Sequence, residues 1–235
     1  MGEIERLIEE DVLSRIKNKY AVRPLNEGQA ELIDCIDNCS ITICSGCAGT
    51  GKTHLSVGKA FEYFREGKVK KIILIRPIQE CGRNLGAMPG DKKDKLEPHM
   101  AAFSDLFHKF MHEEEIKDLV YKEILIMDAL EFLRGKTYED CFVIVDEAQN
   151  ATYKQLRMIL TRIGKNSKMV ITGDGSQTDL DYKFLIGSRT TPLEYVMNIL
   201  EDEDDDIGIV DLYEEDIVRH GLVAKICKLL PPTMS

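Results

Sequence analysis

Residues 41–53 read I-T-I-C-S-G-C-A-G-T-G-K-T, a short apolar run that stops at a glycine-rich turn followed by a lysine. Gly46, Gly51, Lys52 and Thr53 satisfy the spacing G-x-x-x-x-G-K-[ST], with Cys47, Ala48, Gly49 and Thr50 between them. Glycines in such a turn let successive backbone N–H groups face inward around phosphate without a Cβ in the way. The lysine then meets the β- and γ-phosphates, and the Thr53 hydroxyl reaches Mg²⁺. The stretch 53–66 has helical composition, so its first N–H groups and its dipole, with His54 in the first turn, face the same anion. Strand, loop and helix follow in the order that a phosphate-binding loop requires, and residues 46–54 are the predicted nucleotide contacts.

A second signal lies about a hundred residues on. Residues 141–149 read C-F-V-I-V-D-E-A-Q, an apolar run closed by two carboxylates. Such a run suits a strand buried on both faces of a parallel sheet, whose carboxyl end is where α/β sheets hold ligands. Asp146 at that edge is expected to hold Mg²⁺ through its water shell, and Glu147 to take a proton from the attacking water. The plainer alternative is a solvated pair that caps a helix starting near Thr152.

Lys168–Thr172, K-M-V-I-T, is a further short apolar strand, followed by Gly173-Asp174 and, close behind, Gln177. An amide just past a strand end senses the γ-phosphate or orients water in other nucleotide hydrolases. Gly-Asp-Gly-Ser-Gln reads equally well as a turn.

Strands are expected near 41–44, 71–75, 123–127, 141–145, 168–172 and 207–211, with helical stretches between them. This alternation predicts an α/β fold, a mainly parallel sheet sandwiched by helices. Ile4, Leu7, Ile8, Val12 and Ile16 recur at helical spacing, so residues 1–23 form a predicted N-terminal helical extension and 24–235 the main domain. Residues 76–98, rich in Gly, Pro and Lys, read as a long functional loop. Met100, Phe103, Leu106, Phe107 and Phe110 then form the apolar face of a helix over 98–112, read as core rather than as a platform for bases.

The composition is that of a soluble globular chain, and no apolar run approaches the ~20 residues of a membrane span. The start, M-G-E-I-E-R-L-I-E-E, is charged, which predicts a cytoplasmic protein, or one in a host cytoplasm if the source is a phage. Seven cysteines, an odd number, fit reduced intracellular thiols. Cys35, Cys39, Cys44 and Cys47 invite a zinc reading, but Cys44 ends a strand and Cys47 sits in the phosphate loop, so their side chains should diverge. The net charge of −10 does not favour a nucleic-acid partner overall. Lys68, Lys70, Lys71, Lys92, Lys93, Lys95, Lys165 and Lys168 are nonetheless candidates for a local basic groove, or simply solvated faces. The acidic run 201–206 reads as an exposed loop.

The blocks G-C-A-G-T-G-K-T, L-I-R-P-I-Q-E-C-G-R-N-L-G-A-M-P-G-D, L-R-G-K-T, F-V-I-V-D-E-A-Q-N, T-R-I-G-K-N-S-K-M-V-I-T-G-D-G-S-Q and D-I-V-R-H-G-L-V-A-K-I together resemble the PhoH-like proteins of bacteria and bacteriophages. The resemblance covers roughly residues 24–229. It implies a RecA-like core similar to the first motor domain of superfamily 1 helicases, ATP hydrolysis with Mg²⁺, and work on single-stranded RNA or DNA. By resemblance Lys52 and Thr53 are the phosphate and Mg²⁺ residues, Asp146 the metal carboxylate, Glu147 the catalytic base, and Gln177 the link from the γ-phosphate to nucleic acid. L-N-E-G-Q at 25–29 resembles the motif whose glutamine reads adenine, which makes Gln29 the candidate for ATP preference; its alternative is an exposed residue early in a helix over 27–39. Arg76 resembles the position where related motors begin to contact nucleic acid. Two places depart from the pattern: Arg83 stands where an acidic residue is expected, and no proline follows Leu180.

Superfamily 1 motors carry two RecA-like domains, the second of which supplies an arginine to ATP, and this chain has room for one. An arginine finger is worth ~10³ to 10⁵ in rate. The expectation is therefore a head-to-tail ring, drawn as a hexamer, with ATP at each interface and Arg162, Arg219 or Arg157 as the finger. A regulatory ATP switch that never acts on nucleic acid is the alternative of a different class, and a small-molecule kinase a third.

Overall fold

Stretches rich in Ile, Val and Leu form six strands: β1 (Ile41–Gly46), β2 (Lys71–Arg76), β3 (Leu125–Ala129), β4 (Cys141–Val145), β5 (Lys168–Gly173) and β6 (Ile207–Leu212). In the computed structural model, which describes residues 22–77, 103, 106–130, 133, 135–175, 180, 185–187, 190–219, 225 and 229, they lie in one sheet of order β3-β2-β4-β5-β1-β6. Every pairing between these six strands is parallel. The fold is thus the α/β sandwich that the strand–helix alternation predicts. Cys141–Val145 is buried at all five positions, as a strand covered on both faces must be.

Helices α1 (Glu27–Asn38), α2 (Lys52–Arg65) and α3 (Glu113–Tyr121) accompany one face; α4 (Tyr153–Leu160) and α5 (Pro192–Leu200) cover the other. On the first face Leu32, Ile36, Leu55, Phe61, Phe64 and Leu119 pack against Ile72, Leu74, Phe142 and Ile144. On the second, Leu156, Ile159, Leu193 and Val196 pack against Ile43, Val143, Val145 and Ile171. Helix starts are chemically marked. Asn26 accepts from Gln29 N–H at 2.8 Å, and both Thr152 with Gln155 and Thr191 with Glu194 form capping boxes, the latter with Pro192 just inside the helix.

Connections from β1 and β2 leave toward the α1–α3 face, while those from β4 and β5 leave toward the α4–α5 face. Neighbouring strands whose chains depart to opposite sides open a crevice at the carboxyl edge of the sheet, where ligands bind in such folds.

Several boundaries differ from expectation: β1, β2, β5 and β6 run one or two residues further, to Gly46, Arg76, Gly173 and Leu212. The third strand begins at Leu125 rather than 123 because α3 closes with Ile124 N–H donating to Leu119 O at 2.9 Å, and Glu123 takes a positive φ of 53°. Helix α1 ends at Asn38, and Cys39 is already extended. Phe103, Phe107 and Phe110 are buried with Phe61 in the core, as expected, but residues 108–112 of the expected helix are not helical: 108–110 form a turn, in which Phe110 N–H donates to Phe107 O at 2.8 Å. The N-terminal helix expected over 4–16, Met100, Arg83, Lys92, Lys93, Lys95 and Gln177 lie outside the described residues.

Candidate nucleotide site

Residues 46–53 wrap the carboxyl end of β1 and lead straight into α2. Two glycines are demanded by the geometry. At Gly46 a Cβ would collide with the carbonyl oxygen of Leu212 on β6. Gly51, the residue before α2, has φ 92°, and a Cβ there would stand 2.8 Å from Gln29 Nε2. No side chain caps α2, so its first N–H groups keep the anion-facing character of a helix start. Lys52 Nζ lies over the loop, donating to the carbonyl oxygens of Gly46 and, at 2.9 Å, Cys47. Cys47 O also accepts from Thr50 Oγ1 at 2.9 Å.

Gln29 is 2% exposed, which overturns the reading of it as a surface residue. Its Nε2 donates to Thr50 O at 2.8 Å and its Oε1 accepts from Leu25 N–H at 2.9 Å. Each amide atom retains one further hydrogen-bonding position. His54 stacks on Phe110 with ring centroids 4.8 Å apart, and burial, helped by the charge of Lys109, lowers its imidazole pKa.

Asp146 is the hub. Its Oδ1 accepts from Thr53 Oγ1 and Thr172 Oγ1, each at 2.8 Å, and its Oδ2 pairs with Arg76 Nη2 at 2.5 Å. Parallel register explains the assembly. Ile75 and Ile171 both flank Val145, so the next residues, Arg76 on β2 and Thr172 on β5, stand on either side of Asp146. The guanidinium of Arg76 also lies 4.5 Å from the Phe103 ring centre and 3.8 Å from Glu147 Oε1. Arg76, which by resemblance stands where related motors begin to contact nucleic acid, points into the cleft and pairs with Asp146.

Glu147 adopts a left-handed backbone, φ 56°, and its carboxylate lines the cleft half exposed. Gln149 Nε2 donates to Glu147 Oε2 at 2.6 Å while its Oε1 accepts from Asp174 N–H at 3.0 Å. The alternative in which Asp146 and Glu147 cap the next helix is excluded, because Thr152 caps α4. Gln149 and Thr172 are site residues that sequence reasoning missed. The signal for Thr172 is its place at the end of the strand beside D-E-A-Q; for Gln149 it is the amide two residues after the carboxylate it holds.

Gln29, Gly51, Lys52, Thr53, Arg76, Asp146, Glu147 and Gln149 line a cleft of about 810 Å³, which also takes in Leu25, Ala48, Gly49 and Arg219. Its size suits a nucleotide-sized ligand. Among the described residues no three His, Cys, Asp or Glu side chains converge as a metal cage. Mg²⁺ held with a nucleotide needs only one or two carboxylates and keeps waters and phosphate oxygens as its other ligands. Thr53 and Asp146 fit that smaller demand.

The candidate fingers are placed differently. Arg162 follows α4 beside the bridge from Ile163 to Tyr138, at the amino-terminal edge of β4 and so across the sheet from the phosphate loop. Arg157 is exposed on α4. Arg219, proposed from the sequence for a neighbour's site, instead lies on this chain's own loop, with its side chain against Gly49. The described lysines of the predicted groove lie at the amino-terminal edge of the sheet, and Lys68 and Lys70 are paired with Glu66 and Asp140 at 2.8 and 2.6 Å. Cys35 and Cys39 lie together beside Gly208, while Cys44 is fully buried on β1. Burial, with the neighbouring Cys39 thiol, pushes the Cys35 thiol up to about 11. Among the described residues no helix is long and apolar enough to cross a membrane.

The model of the family described as PhoH-like protein matches residues 21–231. The PhoH-like protein of Bacillus subtilis (strain 168) is 39% identical over 222 residues, 94% of this chain and 67% of the relative. That of Mycobacterium tuberculosis (strain ATCC 25618 / H37Rv) is 40% identical over 216 residues, 92% of this chain and 59% of the relative. Protein PhoH of Escherichia coli (strain K12) is 33% identical over 199 residues, 84% and 54% of the two chains. The chain thus spans roughly half to two thirds of the length of these curated relatives. Among solved structures, the HK97 bacteriophage large terminase overlays with a TM-score of 0.49 at 16% identity, covering 86% of this chain and 43% of that one.

Proposed function

The chain belongs to the PhoH-like protein family, and we propose that it is a Mg²⁺-dependent ATP hydrolase whose turnover is coupled to binding or remodelling of single-stranded RNA or DNA. The observation that carries this reading is the 2.8 Å bond from Thr53 Oγ1 to Asp146 Oδ1, which joins the phosphate loop to the carboxylate at the end of β4. When bound, Mg²⁺ would neutralise charge on the phosphate oxygens. In this reading the first turn of α2 and Lys52 hold the phosphates, and Thr53 with Asp146 hold the metal. Glu147 takes a proton from water, and Gln149 keeps its carboxylate in place. Gln29, buried between α1 and the loop, ties adenine selection to loop shape.

The nucleic-acid partner, the head-to-tail hexameric ring and the cytoplasmic setting belong to the same proposal. The five described cysteines are free thiols, the state that a reducing cytoplasm maintains. Arg162, across the sheet from its own phosphate loop, suits a residue that reaches another copy's nucleotide.

The test is steady-state ATP hydrolysis without polymer, with single-stranded RNA and with single-stranded DNA, beside Lys52→Ala. Stimulation by one polymer, abolished in Lys52→Ala, supports the reading and names the substrate. Turnover that no polymer changes favours the regulatory switch, and a wild-type chain without turnover sinks the hydrolase itself.

A further inference from the structure

After β6 the chain returns to the phosphate loop. The carbonyl of Leu212 faces Gly46, and a 3-10 turn (Glu214–Asp216) follows. Asn26 Nδ2 donates to Asp216 O at 3.1 Å, and Val218 N–H donates to Gly49 O at 3.1 Å. These contacts fix the backbone next to Arg219 against the tip of the loop. The arginine stem then lies on Gly49: a Cβ there would be 3.0 Å from Arg219 Cδ and 3.5 Å from its Nε. Arg219 lines the same cleft as Lys52, Thr53 and Glu147.

The charge in this cleft is unevenly committed. Arg76 is paired with Asp146, and Lys52 is held by loop carbonyls. Arg219 makes no hydrogen bond or ion pair among the described residues. A finger for another subunit must project from its own site across an interface, whereas this side chain is laid along its own loop. A guanidinium also matches phosphate oxygens with its planar fork of donors.

We propose that Arg219 binds the phosphate chain of the nucleotide held by its own subunit, acting in cis rather than as a neighbour's finger. The proposal rests on the ATP-hydrolase reading. It gives a single RecA-like domain an arginine of its own at the phosphates.

The test uses the full chain: ATP hydrolysis, and ATP binding by calorimetry, for wild type, Arg219→Ala, Arg219→Lys and an equimolar mixture of Arg219→Ala with Lys52→Ala. Loss of a charged hydrogen bond to phosphate should lower kcat/KM for ATP about ten- to a hundredfold in Arg219→Ala. Arg219→Lys, which keeps charge without the fork, should recover part of it. In the mixture every subunit lacks one residue of its own site, so activity should stay at the average of the parents. Restored turnover in the mixture would show that the arginine acts across an interface, and wild-type kinetics in Arg219→Ala would show that it touches no phosphate. Either result overturns the proposal and leaves the hydrolase standing. Wild-type protein that neither binds nor hydrolyses ATP, and does not differ from Lys52→Ala, defeats the hydrolase reading and this inference with it.

Discussion

Gln149 donates its side-chain amide to the Glu147 carboxylate at 2.6 Å, and with the other end of the same amide takes the backbone N–H of Asp174. One side chain thereby couples the candidate base after β4 to the segment after β5. Replacing Gln149 by Leu should release Glu147 into solvent-averaged rotamers and lower kcat about tenfold or more, with KM for ATP little changed. Separate kcat and KM values, with a melting curve to confirm folding, would check this.

Glu147→Gln should cut turnover by about 10² to 10⁴ while ATP still binds, since only the proton acceptor is lost. Lys52→Ala should lose binding as well as turnover. Equilibrium binding of a fluorescent ATP analogue separates the two variants.

Arg76 is the cation beside a carboxylate that is only 3% exposed. Arg76→Ala should destabilise the chain by about 2 to 4 kcal/mol, because a buried charge is left with hydroxyl partners alone. Thr172→Val removes one neutral donor from the same carboxylate and should cost about 1 to 2 kcal/mol. Urea unfolding at neutral pH measures both.

Gly51→Ala places a methyl 2.8 Å from Gln29 Nε2 at a residue with φ 92°. The backbone conformation alone costs about 1 to 2 kcal/mol, and the Gln29 bond to Thr50 O must also give way. Lowered stability together with weaker ATP binding is the expected outcome, measured by thermal melts with and without nucleotide.

Asp211 sits near Glu201, Glu194 and Glu31; burial first, and then these charges, raise its carboxyl pKa. The folded state therefore holds this proton more tightly than the unfolded chain. The penalty on the charged form is absent below the ordinary carboxylate range and grows as pH rises through the raised value. Asp211→Asn should stabilise the protein at pH 7 by under about 1 kcal/mol and make no difference near pH 3. Melting temperatures across that range test the sign.

Much of this was legible in the chain itself. Apolar runs of four to six residues, alternating with helical stretches, specified parallel strands, because a strand covered on both faces must be apolar throughout. The phosphate loop was readable because its glycines and lysine are neighbours in sequence, and local backbone geometry needs them there. Asp146 and Glu147 were readable for the same reason, as the end of an apolar strand.

The partners of these residues were decided only by tertiary structure. Arg76, Thr53 and Thr172 meet Asp146 because the order β2-β4-β5-β1 and the register of each pair bring three distant segments to one carboxylate. Nothing local encodes that order. Arg219 shows the difference most clearly: its sequence suggested a residue for a neighbour, and the return of the chain from β6 laid it on Gly49 of its own loop. Sequence sets which residues have the chemistry to bind phosphate, and the long-range packing of strand against strand sets which of them share one site.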